Sequence, residues 1–210
     1  MKSIHITVTT IVIVFITACT HKMANQHGQQ INMEATDKKG NLILLGKSTR
    51  ERLAQPPFNS WFTTNYAAYT VDSTTANQIK PLLKNKRLVL FMGTWCGDSR
   101  REVPRIYKIL DYCQIRSAQV QLVNLNNSDT AYKQSPGHEE QGLNIRRVPT
   151  LLIYEGQHEV GRVVESPVAT LEKDLLAIVS GQPYEHHYKN GTSKLANMAD
   201  TTRLQQPNRQ

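Results

Sequence analysis

The chain carries a formal net charge of +8 and a pI near 9.5, yet it lacks the patterns that would spend this charge on nucleic acid. Its longest basic cluster is Lys84, Lys86 and Arg87, and it contains no zinc-finger or helix-turn-helix pattern. The basic residues therefore read as a solvated surface, and no nucleic-acid partner is expected. Also missing is an apolar run long enough to cross a membrane: residues 4–16 (IHITVTTIVIVFI) fall short of the roughly 20 apolar residues a spanning helix needs. Cysteine is scarce, with three in the chain. In the stretch GTWCGDSRREVP, residues 93–104, Cys96 is followed three places on by Ser99 rather than by a second cysteine. No second cysteine or histidine stands beside Cys96 to make a metal-ligand pair, and His186-His187 lies in a polar stretch, so neither metal nor cofactor is expected.

What is present suits one well-buried domain with attachments. A hydrophobic fraction of 39% with 20% charged residues of both signs is an ordinary globular balance and argues against general disorder. Lys2, the apolar run and the small pair Thr17-Ala18 before Cys19 read as an export signal over residues 1–18. Ile16-Thr17-Ala18-Cys19 resembles the bacterial lipobox, with isoleucine in the place usual for leucine. That resemblance implies a lipidated Cys19 as the mature N-terminus, holding the protein on a membrane of the cell envelope, facing the periplasm or the surface. Each buried acyl methylene contributes about 0.8 kcal/mol to such an anchor.

Residues 19–41 are polar, without apolar periodicity, and read as a tether. Residues 42–81 are dense in apolar and aromatic side chains, broken by Pro56-Pro57, and read as an ordered N-terminal extension with a helix near residues 74–83. From there the pattern is regular. Residues 87–92 (RLVLFM) form a short apolar run of the buried-strand kind. A turn follows over residues 93–97, and Val103, Ile106, Tyr107 and Leu110 then keep helical spacing through residues 99–111, with Pro104 expected to kink the helix. Residues 120–125 read as a second strand and residues 126–140 as a polar loop. Residues 150–154 and 161–165 flank a turn as an antiparallel hairpin. A last helix is expected with Ser166 as N-cap, Pro167 in its first turn, Val168, Leu171, Leu175 and Ile178 on its apolar face and Gly181 as its stop, before a polar tail over residues 183–210. This order of elements is α/β, with a mixed central sheet covered by helices. A helix between Cys96 and Cys113 would hold them roughly 20–25 Å apart, far beyond the reach of a disulfide, so no bond between them is expected. Cys113 is expected in the core instead.

Two motifs in this order resemble the thioredoxin superfamily. Phe91-Met92-Gly93-Thr94-Trp95-Cys96-Gly97-Asp98-Ser99 is similar to its active-site strand and loop, and Arg147-Val148-Pro149-Thr150 to its cis-proline loop. The resemblance implies a thioredoxin-like domain over residues 82–182. It also implies Cys96, Ser99 and Pro149 as site residues in a loop with Trp95, Gly97, Asp98 and Val148, and a cis Pro149 lying against the Cys96 sulfur. The flanking sequence resembles a narrower group of exported bacterial lipoproteins of this superfamily. The chain departs from the superfamily at Ser99, which stands where a resolving cysteine is usual, and at Leu90, which stands where a buried acid is usual.

A helix N-terminus stabilises a thiolate through its free N–H groups. Arg100 and Arg101 would add to this effect, Asp98 would oppose it, and a hydrogen bond from Ser99 to the sulfur would favour the charged form. A serine cannot cleave a mixed disulfide, because it has no sulfur with which to close the new bond. The expected activity is therefore a monothiol thiol-disulfide oxidoreductase or isomerase acting on exported protein thiols or disulfides through Cys96, with an external thiol as resolver. The competing expectation is a non-catalytic thioredoxin-fold lipoprotein that binds peptides or proteins.

Overall fold

The computed structural model describes residues 30–189. The expected signal segment and the lipidation site Cys19 lie outside the described residues, as does the polar tail beyond residue 189. Within them stands a mixed α/β fold built on a six-stranded sheet ordered β1-β2-β4-β3-β5-β6. The strands are β1 (Met33–Thr36), β2 (Leu42–Ser48), β3 (Lys86–Met92), β4 (Val120–Asn124), β5 (Thr150–Glu155) and β6 (His158–Val164). β3 and β4 pair in parallel through the crossover helix, while every other neighbouring pair is antiparallel.

The apolar run of β3 divides with the period of a strand. Leu88, Leu90 and Met92 join one core cluster, and Val89 and Phe91 join another, so both faces of the central strand are dry. The larger cluster takes the buried side chains of all the helices: α1 (Arg50–Leu53), α2 (Asn59–Ala68), α3 (Ser73–Leu83), α4 (Gly97–Tyr112) and α5 (Leu171–Val179). The opposite face is closed by the irregular segment 125–148, which contributes Leu125, Leu143, Ile145 and Val148. The helices therefore cover one side of the sheet rather than both.

Two expected boundaries are corrected. Residues 33–36 are an edge strand, not tether, and residues 42–48, the start of the ordered N-terminal extension, form a strand inside the sheet itself. The reason is burial: Ile43 and Leu44 are 2% and 0% exposed, and the Leu44 N–H donates to Thr94 Oγ1 in the loop before Cys96. The tail beyond residue 183 likewise begins packed, with the Tyr184 hydroxyl donating to Asp174 at 3.0 Å and the Tyr188 hydroxyl to Glu165.

α4 runs unbroken through Pro104. Proline has no N–H for the carbonyl four residues back, and the Arg100 carbonyl instead accepts from the Asn65 side chain of α2 at 3.0 Å. The last helix starts at Leu171 with Thr170 as its cap, not at Ser166. The carboxylate of Asp174 accepts from the Val168 and Ala169 N–H groups, which holds residues 166–170 in a turn, and Val168 is exposed instead of lying on the apolar face. Its far end matches expectation. Gly181, at φ +72°, lets Gln182 N–H reach Ala177 O and its own N–H reach Ile178 O.

The hairpin loop is the two residues Gly156-Gln157, with φ +58° at Gly156 as a II′ turn requires, so β6 starts at His158, ahead of the expected 161.

Candidate functional site

The site forms where β3 ends and α4 begins. Cys96 occupies the N-cap of the 16-residue α4, half-buried, and its Sγ donates to the Val148 carbonyl at 3.3 Å. The Val148–Pro149 peptide is cis, so the expected proline loop does stand against the sulfur. Among the described residues, the Val148 N–H and C=O make no backbone hydrogen bond, because β5 begins only at Thr150.

Local packing explains the residues before the cysteine. A Cβ on Gly93 would fall 2.5 Å from Trp95 Cε2, so only glycine admits the indole that lies over it. The indole N–H donates to the Leu125 carbonyl at 2.8 Å, and its ring sits 6.0 Å from that of Tyr132. Trp95 therefore ties the loop to the segment that closes the second face of the sheet. A Cβ on Gly97 would meet nothing within 4 Å, so packing does not require glycine there.

Ser99 differs from expectation. It is 0% exposed, and its hydroxyl accepts the Gly93 N–H at 3.2 Å rather than bonding the sulfur. The nearby charges are also engaged: Arg101 pairs with Asp98 at 2.7 Å and with Glu102 at 2.6 Å, and Arg100 Nε donates to the Thr94 carbonyl at 2.6 Å. Cys96 and Cys113 are both free thiols at opposite ends of α4, roughly 25 Å apart at helical rise. Cys113 is buried as expected, and desolvation pushes its thiol up to about 11.

Glu102 is a site residue that the sequence reading missed. Leu90 is fully buried with no acid beside it on its strand, but Glu102 of α4 is only 3% exposed. Its Oε1 accepts from Arg101 and Arg105, while its Oε2 has no hydrogen-bond partner. A cavity of about 10 Å³, space for the centre of one water, is bordered by Glu102 and Pro149. The signal was available: Ser99, Glu102, Val103 and Ile106 keep the spacing that puts an acid on the buried face of the helix. Among the described residues no group of three or more His, Cys, Asp or Glu could hold a metal ion, and no helix is long and apolar enough to cross a membrane.

No protein-family model matches the chain, and no curated protein does. Two solved structures bear a partial likeness to it. One is a crystal structure of a protein of unknown function from Pseudomonas aeruginosa, at 16% identity and a TM-score of 0.43, covering 59% of this chain and 84% of that one. The other is a crystal structure of an HIV epitope scaffold, at 18% identity and a TM-score of 0.43, covering 60% of this chain and 86% of that one. Neither likeness is strong enough to carry an argument about fold or function.

Proposed function

We propose that the chain is a thioredoxin-like monothiol disulfide oxidoreductase or isomerase that acts through Cys96 on exported proteins, held at a membrane by lipid on Cys19. The observation that carries this reading is the placement of a half-buried helix-capping thiol 3.3 Å from the carbonyl that precedes a cis proline. An extended substrate can pair with the Val148 backbone, which makes no backbone–backbone hydrogen bond among the described residues and whose carbonyl is released when Cys96 loses its proton. This pairing brings the substrate disulfide to the sulfur. Attack by the Cys96 thiolate breaks the substrate S–S bond and forms a mixed disulfide, and the departing substrate thiolate takes a proton from solvent. A second thiol then attacks the mixed disulfide and returns Cys96 as thiolate. When that thiol belongs to the substrate the cycle is an isomerisation with no net redox change; when it is an external small thiol, two thiols supply the two electrons. Glu102 provides a carboxylate beside Pro149 where Leu90 provides none.

One observation favours the second reading, a binding module without turnover: the buried Ser99 hydroxyl oxygen accepts the Gly93 N–H, a structural use. The two readings separate in a trapping experiment. Full-length protein mixed with a peptide disulfide should accumulate a Cys96 adduct by mass spectrometry, released on adding an external thiol. Ser99→Cys should shorten the adduct's lifetime and gain insulin-reducing activity. Absence of any adduct on wild-type Cys96 would leave only the binding module.

A further inference from the structure

Beside the cis-proline loop lies a cavity of about 590 Å³, within the range of ordinary ligand sites. Lys133 and Arg146 reach it from the segment that closes the second face of the sheet, Arg147 from the proline loop, Arg162 from β6, and His186 and Lys189 from the packed tail. No carboxylate lines it. Carboxylates outside the cavity pair with three of the five Lys and Arg side chains: Glu165 with Arg147 at 3.0 Å, Glu159 with Arg162 at 2.6 Å and Glu185 with Lys189 at 2.6 Å. Lys133 and Arg146 bond only uncharged acceptors, the Arg146 carbonyl and Asn144 Oδ1 at 2.8 Å. The cavity therefore keeps a positive field. His186 registers that field: burial first, then the charges of Arg162, Lys189 and His187, hold its imidazole below the usual 6.5.

We propose that this cavity takes the acidic flank of the substrate, a peptide segment carrying several carboxylates next to the thiol or disulfide presented to Cys96. The inference rests on the oxidoreductase reading and names its substrate class. Connectivity supports it: Arg147 lines the cavity, and the next residue, Val148, carries the carbonyl at Cys96 Sγ, so a chain extended along Val148 leads into the cavity. The cations come from three separate parts of the fold, the segment 125–148, β6 and the packed tail, and several positive charges on one cavity wall suit a peptide that carries several carboxylates.

The test uses the full-length chain with Cys96→Ser, so that binding is read without covalent chemistry. Two synthetic peptides of equal length, one with Glu and Asp around a central serine and one with Gln and Asn, are compared by calorimetry. The acidic peptide should bind about tenfold tighter, and its advantage should fall on raising salt from about 50 to about 500 mM. Replacing both Lys133 and Arg146 by Gln should remove most of that advantage. Because Lys133 also holds a loop carbonyl, a second variant with Arg146→Gln alone must move in the same direction. Equal binding of the two peptides overturns the proposal. Binding of inorganic phosphate with no preference between the peptides overturns it too, and makes the cavity a simple anion site. Failure of the redox reading shows separately, as loss of the Cys96 adduct with uncharged peptide disulfides on the wild-type protein.

Discussion

The Tyr188 N–H donates to Nδ1 of His186 at 3.1 Å, an acceptor that exists only while that nitrogen is unprotonated. Burial and the charges of Arg162, Lys189 and His187 lower the His186 pKa, against a smaller opposing pull from Glu159. A histidine with a depressed folded pKa contributes stability that is full above its ordinary value of 6.5 and is lost as pH falls through the folded value. The imidazole of His186 should therefore titrate by NMR with a midpoint below 6.5, and the Tyr188 amide should lose exchange protection over the same range. A midpoint at or above 6.5 contradicts the account. At this scale the site was partly legible in sequence. Trp95, Cys96 and Pro149 were identifiable because each belongs to a short contiguous pattern. The acceptor role of Ser99 and the burial of Glu102 were not, because each depends on which way a helical side chain turns once α4 lies on the sheet.

At the scale of elements, the α2–α4 joint has a specific chemical cause. Pro104 withholds a donor from the Arg100 carbonyl, and Asn65 supplies one across the interface. Asn65→Ala should cost about 1–3 kcal/mol in unfolding free energy by leaving a partly buried carbonyl unpaired. In a Pro104→Ala background the helix provides its own N–H, so the same substitution should cost less. A double-mutant cycle by chemical denaturation with a coupling under about 0.5 kcal/mol would refute the joint. The strand–turn–helix unit from β3 to α4 was readable because its apolar periods are unmixed. The start of α5 was not: Ser166-Pro167 carries the local signal of a helix start, but the Asp174 carboxylate captures the Val168 and Ala169 N–H groups and delays the helix to Leu171.

Over the whole molecule, the domain is wider than residues 82–182. Leu44, Leu53, Phe58 and Phe62 belong to the same core cluster as Leu90, Ile106 and Leu175. Each such side chain contributes about 1.5–3 kcal/mol by burial, and β2 also caps the exposed edge of β4. A fragment of residues 82–182 should therefore lack a cooperative thermal transition, whereas a fragment of residues 30–189 should keep one by calorimetry. A cooperative transition in the shorter piece would show residues 42–81 to be an appendage after all.

Local chemistry in the sequence by itself determined the central strand, the helix that Cys96 caps and the hairpin, each from short-range periodicity or residues adjacent in the chain. The cis-proline loop was legible only through the resemblance of Arg147-Val148-Pro149-Thr150 to a known loop. Only the tertiary structure decided that β1 and β2 complete the sheet, that the helices lie on one of its faces, that Glu102 rather than a strand acid stands near Pro149, and that five cations meet beside the proline loop. Those outcomes depend on contacts between residues far apart in sequence. Residues 33–36 (MEAT) alternate apolar and polar over only four positions, too short a signal to stand out in a polar stretch, and they become a strand because the edge of β2 pairs with them.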